Sequence, residues 1–300
     1  MGLEDIAIAD ALLNLRYFEL QMLTALSFRQ RVKLMGAWVK DVGTLSARLP
    51  FSTLSRFLVL TPGVLQTQVI YDRIARRWFT VNVRDLVDVQ VVRQIFANND
   101  YGFERLRRGE ELRALYERIV SSGQKPLIID CGANSGMSVR YFSETYPHAH
   151  IVAIEPDEAN LAQAKLNNRA ADVTYLHAGV ASSSMRATLC NRGQGNWAYQ
   201  VEADPKGAIQ LVSISSILTE HARRGAIPFA IKIDIEGFEE NLFEKGIEWI
   251  DEFPVLIIEL HDWMLPRQGN SKNFLKAIAL RNRDFVLHGE NVFSISNTLT

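Results

Sequence analysis

Apolar residues recur at helical spacing through the first forty positions. Ile6, Ala9, Leu13, Tyr17 and Leu20 form one row and Leu12, Leu15, Met22 and Leu26 a second, which predicts an amphipathic helix with a broad apolar face from Ile6 to about Val39. Arg29, Arg31, Lys33 and Lys40 make its far end basic. Such a helix packs on its own domain or on a twin subunit, so it is a candidate homodimer interface; a membrane-surface helix is the weaker alternative. After Pro50 the period shortens, and Phe57 to Leu60, Thr67 to Tyr71 and Trp78 to Val83 read as short strands. Asp85 to Asn98 and Glu104 to Val120 return to helix, separated by Tyr101-Gly102-Phe103.

From Leu127 strands and helices alternate. Leu127 to Ile129, Ile151 to Ile154, Val173 to Leu176, Phe229 to Ile235 and Val255 to Leu260 are apolar runs that suit strands covered on both faces. Between them lie helices at Met137 to Tyr146, Pro156 to Arg169 (with Leu161, Ala164 and Leu166 inward), Ser215 to Arg224, Phe238 to Phe243 and Asn273 to Leu280. Met185 to Leu189 and Trp197 to Val201 read as an inserted antiparallel hairpin, with a further strand at Ile209 to Val212. The closing strands, Phe285 to His288 and Val292 to Ile295, are joined by Gly289-Glu290-Asn291, too short a link for a crossover, so they must be antiparallel. The prediction is an α/β fold with a seven-stranded, mostly parallel sheet ending in an antiparallel hairpin, behind an N-terminal extension of helices and short strands. Residues 1–110 are expected to form the accessory region and 111–300 the ligand-binding domain.

Composition changes this picture little. The 300 residues are 47% apolar and 22% charged, with a net charge of -1, so there is no general pull toward nucleic acid or acidic membranes. Cys131 and Cys190 form no CxxC pair, and Cys131 reads as a small buried filler. Glu4, Asp5 and Asp10 stand where a signal peptide would be basic, and no apolar run approaches the roughly 20 residues of a membrane span. A cytoplasmic protein without a transmembrane segment is expected.

The chemistry gathers where the predicted strands end. The first motif is Asp130-Cys-Gly132-Ala-Asn134-Ser-Gly136, a strand, glycine turn and helix of the nucleotide-binding kind. Its glycines are four apart, which is not the dinucleotide spacing, and an acid facing the ligand would repel a pyrophosphate. It suits a ligand carrying positive charge or an amine. Gly132 and Gly136 let the backbone approach that ligand, and Asn134 is placed to hydrogen-bond it. The second is Glu155, about 25 residues on, where an acid accepts bonds from both hydroxyls of a ribose. The third, Lys232-Ile-Asp234-Ile-Glu236-Gly237-Phe-Glu239, puts Lys232, Asp234 and Glu236 on one face, an arrangement that is costly unless they pair or sit at the ligand edge. The fourth is Glu259-Leu-His261, where His261 is a candidate general base.

In this order these four pieces resemble the FkbM family of S-adenosylmethionine-dependent methyltransferases, over roughly Leu127 to the C-terminus. Ile95-Phe96 and Tyr101 are also similar to the family's lead-in helix. The resemblance implies a class I methyltransferase fold, Rossmann-like, with S-adenosylmethionine as cofactor. It implies methylation of oxygen, often a hydroxyl of a sugar, polysaccharide or secondary-metabolite scaffold. On that basis Asp130, Gly132, Asn134, Gly136, Glu155 and Asp234 are the expected cofactor residues. His261, Asp234, Glu236 and Lys232 are the expected catalytic ones, with Asp234 and Glu236 an alternative to His261 as base. Glu259 and Trp197 are assigned to the acceptor. Asp234, Glu236, Glu259 and His261 have the donor types for a divalent metal, but no metal is assigned. One departure stands out: His177-Ala178-Gly179-Val180 offers no acid for an adenine amine. The competing readings are a nicotinamide oxidoreductase, disfavoured by the missing GxGxxG, and a non-catalytic binding module.

Overall fold

The computed structural model describes residues 56–59, 66–169, 171–191 and 199–299. The predicted first helix, and Trp197 with the tip of its hairpin, lie outside the described residues. Alternation along each strand explains the layering of the rest. On β4 (Lys125–Cys131), Ile128 faces one core, while Leu127, Ile129 and Cys131 face the other. Both faces are therefore apolar, and both are covered.

The central sheet has seven strands. From edge to edge these are β13 (Arg283–His288), β14 (Asn291–Ser296), β12 (Val255–Glu259), β11 (Ala226–Ile233), β4, β5 (His150–Glu155) and β6 (Val173–His177). The pairings from β12 through β6 are parallel, and β14 runs antiparallel to both of its neighbours. The first core lies under α2 (Gly109–Ser121) and α3 (Met137–Thr145) and holds Leu112, Phe142 and Phe229. The second lies under α5 (Ile214–Ala222) and α7 (Lys272–Ala279) and holds Ile214, Leu218 and Phe274.

The described part of the predicted accessory region joins the first core. β1 (Phe57–Val59), β2 (Thr67–Asp72) and β3 (Arg77–Asn82) form a small antiparallel sheet. Phe57, Phe79 and Phe96 pack edge-on against one another and Phe57 against Tyr141 of α3, at centroid distances of 5.2 to 5.8 Å. Arg56 joins this layer to α3 by pairing with Asp72 at 2.6 Å and donating to the Glu144 carbonyl at 2.7 Å. The helix predicted over Asp85 to Asn98 begins as α1 (Leu86–Val92), with the Asp85 carboxylate accepting from Val87 and Asp88, and continues in wider π-type turns through Arg93–Ala97.

Two expectations change. Of the three residues predicted inward on α4 (Glu158–Asn167), Leu161 and Ala164 are buried, but Leu166 is 40% exposed. The insertion after β6 is also larger than a hairpin. β8 (Met185–Asn191) and β9 (Tyr199–Ala203) pair antiparallel as predicted, but β7 (Gly179–Val180) and β10 (Ile209–Val212) complete a separate four-stranded sheet in the order β7-β10-β8-β9.

Gly136 accounts for the closeness of α3 to α4. It caps α3 at φ 79°, and a Cβ on it would stand 2.6 Å from the Ala164 Cα. The glycine predicted to admit a ligand thus serves helix packing. Gly136→Ala is expected to destabilise the protein by about 2 kcal/mol or more, from left-handed strain plus a backbone clash. A urea midpoint that falls without a change in slope would show this, and an unchanged midpoint would refute it.

Candidate active site

The parallel strands β4, β5 and β11 end at one edge of the sheet, and the predicted motifs meet there. Lys232 is 3% exposed on β11. Its ammonium donates to the Gly132 carbonyl at 2.7 Å and pairs with Asp130 at 3.3 Å and Asp234 at 3.2 Å. Burial opposes the ammonium, yet Asp130 and Asp234 together hold its pKa well above the ordinary lysine value. Burial lifts the Asp130 carboxyl, against the pull of Lys232 and of the Ser138 hydroxyl, which donates to it at 2.5 Å. Asp130 is fully buried and does not line the cleft. It anchors Lys232 beneath the glycine turn.

The turn curls over this pair. Gly132 has φ 84°, and a Cβ there would come 1.9 Å from the Asp234 carbonyl oxygen. Close approach of the β4 and β11 ends therefore requires glycine. Asn134 follows at φ 47°, and its amide donates to Glu155 Oε2 at 2.8 Å. Glu155 Oε1 accepts from the Asp157 amide at 3.0 Å and from Asn160 at 3.4 Å. Burial raises the Glu155 carboxyl, opposed by those amide donors. A carboxylate held this way retains free lone pairs.

These groups border a cleft that is partly open to solvent. Gly132, Asn134 and Glu155 form one wall; Ala178, Gly179 and Val180 form another; Asp234 and Glu236 close the end. Among the described residues lining it there is no lysine or arginine. A pyrophosphate would meet three acids and no cation, which argues against the nicotinamide alternative. A cofactor with a ribose, no phosphate and a positive charge fits the same wall. Glu155 is available to ribose hydroxyls, and the apolar Ala178 to Val180 wall to a base ring.

Beyond the end of the cleft lies the acid cluster. β11 stops at Ile233, so strand alternation no longer places Glu236; a left-handed turn at Glu236 (φ 55°) does. His261 Nε2 stands 3.5 Å from Asp234, 3.6 Å from Glu236 and 3.8 Å from Glu259. Its Nδ1 is bonded at 2.7 Å to Glu239, a fully buried carboxylate on α6 (Glu239–Leu242). Burial disfavours the imidazolium, but the Glu239 hydrogen bond and the surrounding carboxylates outweigh it and raise His261 to about 10. Burial and then the Asp234 charge push Glu236 up to about 8 and Glu259 to about 7, against the pull of His261.

The fold thus brings together Lys232, Asp234, Glu236, Glu259 and His261 in one cluster, and Gly132, Asn134 and Glu155 in the adjoining cleft. Asp130 and Gly136 lie behind that surface. Sequence reasoning missed three positioning groups. Glu239 was visible in its motif but had no role. Asn160 and Arg84 carried no signal. The Arg84 guanidinium, paired with Asp88 at 2.9 Å, donates to Asn160 at 2.7 Å and to Asn134 at 3.4 Å.

Residues 130–287 match the family described as Methyltransferase FkbM domain. No curated protein matches. Among solved structures, an O-methyltransferase from Klebsiella pneumoniae (described as putative) is 12% identical, with 72% of this chain and 92% of that one covered at a TM-score of 0.37. An O-methyltransferase from Bacillus cereus in complex with SAH is 13% identical, covering 71% and 93% at 0.37. TomG, an O-methyltransferase from Streptomyces achromogenes in complex with SAM, is 12% identical, covering 72% and 92% at 0.38. Since the family match spans more than half of the 300 residues and includes all four motifs, the chain belongs to the FkbM methyltransferase domain family and is an S-adenosylmethionine-dependent methyltransferase.

Proposed function

We propose that the protein methylates a hydroxyl oxygen of a sugar-type or similarly hydroxyl-rich acceptor. The observation that carries this reading is the continuity between a cleft whose described lining holds no lysine or arginine and an acid cluster at its far end. S-adenosylmethionine supplies a methyl group already activated by its positively charged sulfur. The protein's tasks are placement and proton removal. Glu155 would accept the ribose hydroxyls, the turn at Gly132 and Asn134 would border the methionine portion, and Ala178 to Val180 would cover the adenine through backbone and apolar contacts.

At the acceptor end, polar side chains suit a hydroxyl better than an apolar ring. Glu236 is the proton acceptor in this reading. Its Oε2 is buried without a hydrogen-bond partner, and the residue lines the cleft. His261 stands among four carboxylates behind that base. Asp234 links the two halves through Lys232, and Glu259 borders the acceptor. In this reading the described part of the accessory region, 56–59 and 66–110, is a layer on the domain at 111–300. The Arg84 bonds to Asn160 and Asn134 support a bearing of that layer on the cofactor wall.

Two measurements test this assignment. Glu155→Ala is expected to weaken S-adenosylhomocysteine binding about 10- to 100-fold by isothermal titration, the worth of charged hydrogen bonds in a buried wall. NAD should bind neither form, and undiminished affinity in the variant would refute the role of Glu155. Glu236→Gln is expected to bind S-adenosylhomocysteine as before while kcat toward a hydroxylated acceptor falls about 10²- to 10⁴-fold. Full turnover in that variant would remove Glu236 as the base.

A further inference from the structure

Five carboxylates, Asp130, Asp234, Glu236, Glu239 and Glu259, gather around the ammonium of Lys232 and the imidazole of His261. Lys232 is committed to Asp130, Asp234 and the Gly132 carbonyl. Glu239 is committed to His261 Nδ1. That leaves His261 Nε2, on a side chain 2% exposed, facing Asp234, Glu236 and Glu259. An imidazolium with free choice would close on one carboxylate to a hydrogen bond of about 2.8 Å. Here Nε2 stands off all three, at 3.5, 3.6 and 3.8 Å.

Those separations are close to what a shared cation produces. Ligand atoms about 2.1 to 2.4 Å from one ion lie about 3 to 3.5 Å from each other. One ligand atom from each of Asp234, Glu259 and His261 falls within 4.8 Å of the other two. Glu259 ends β12, and Asp234 and His261 directly follow the ends of β11 and β12, which run parallel in register. Glu239 has the place that a supporting carboxylate takes behind a histidine ligand: it fixes the ring and leaves the far nitrogen for the ion. Glu236, beside the set, keeps a buried oxygen with no hydrogen-bond partner.

We infer that Asp234, Glu259 and His261 Nε2 form a binding site for one divalent cation, oriented by Glu239. One imidazole nitrogen with two carboxylates favours a first-row transition ion such as Mn²⁺ over an all-oxygen ion such as Ca²⁺. Three protein ligands leave coordination positions for oxygen, and Asp234, which lines the cleft, directs them toward the acceptor end. The site stands on these residues alone. Only its use, to hold the acceptor oxygen, rests on the methyl-transfer reading.

The test is a titration of chelator-treated, full-length protein with Mn²⁺, following free Mn²⁺ by its electron paramagnetic resonance signal. One saturable site per chain is expected. Glu239→Gln should weaken it about 10- to 100-fold, and Glu259→Gln and His261→Ala should abolish it. Each variant is also titrated with S-adenosylhomocysteine, which reports folding and the cofactor cleft independently. Absence of Mn²⁺ binding in protein that binds S-adenosylhomocysteine would overturn the inference, as would binding that survives both ligand substitutions. A Mn²⁺ site in wild-type protein that fails to bind S-adenosylhomocysteine would uphold the ion site and overturn the cofactor assignment instead.

Discussion

A buried lysine between two buried or half-buried acids sets the terms for this structure. Lys232 is among the least exposed charged groups of the sheet, and its ammonium is stable there only because Asp130, Asp234 and the Gly132 carbonyl surround it. Those partners belong to β4, to the glycine turn and to the loop after β11. Satisfying one charge therefore brings together the backbone segments that border the cofactor cleft. Removing Lys232 would leave Asp130 and Asp234 without the cation that offsets them.

The same constraint divides the sheet edge into two regions. On the β5 side the acid, Glu155, is held by backbone amides, and the described residues lining the cleft include no lysine or arginine. On the β12 side negative charge accumulates beyond what Lys232 offsets, and His261 faces it with one nitrogen tied back to Glu239. In the reading proposed above, the first region takes the positively charged cofactor and the second a hydroxyl-bearing acceptor. Two of the three donors to Glu155 are main-chain amides. The second region is electrostatically unsettled, with Glu236 and Glu259 pushed up to about 8 and 7 by burial and by Asp234.

Much of this was legible from local pattern. Apolar runs bounded by glycine and acids marked β4, β5, β11 and β12 to within a few residues, and the short link at Gly289 required the closing pair to be antiparallel. The strand-end positions of Asp234, Glu155 and Glu259 followed from period-two alternation ending in polar residues. Alternation failed where strands stopped: it placed Glu236 on a strand face, whereas a left-handed turn delivers it. It also misjudged Leu166, because a helix face is chosen by what it packs against.

By itself the sequence determined the order of elements, the two-sided burial of the sheet and the edge where chemistry gathers. Each of these depends on neighbours a few residues apart. The tertiary structure alone decided which charges meet. Lys232 reaches Gly132 across 100 positions, Arg84 reaches Asn160 across 76, and Glu239 reaches His261 across 22. It alone showed that Asp130 and Gly136 support the site from behind instead of lining it. Such contacts arise from how separate elements pack, and residue spacing along the chain does not encode distance across a core.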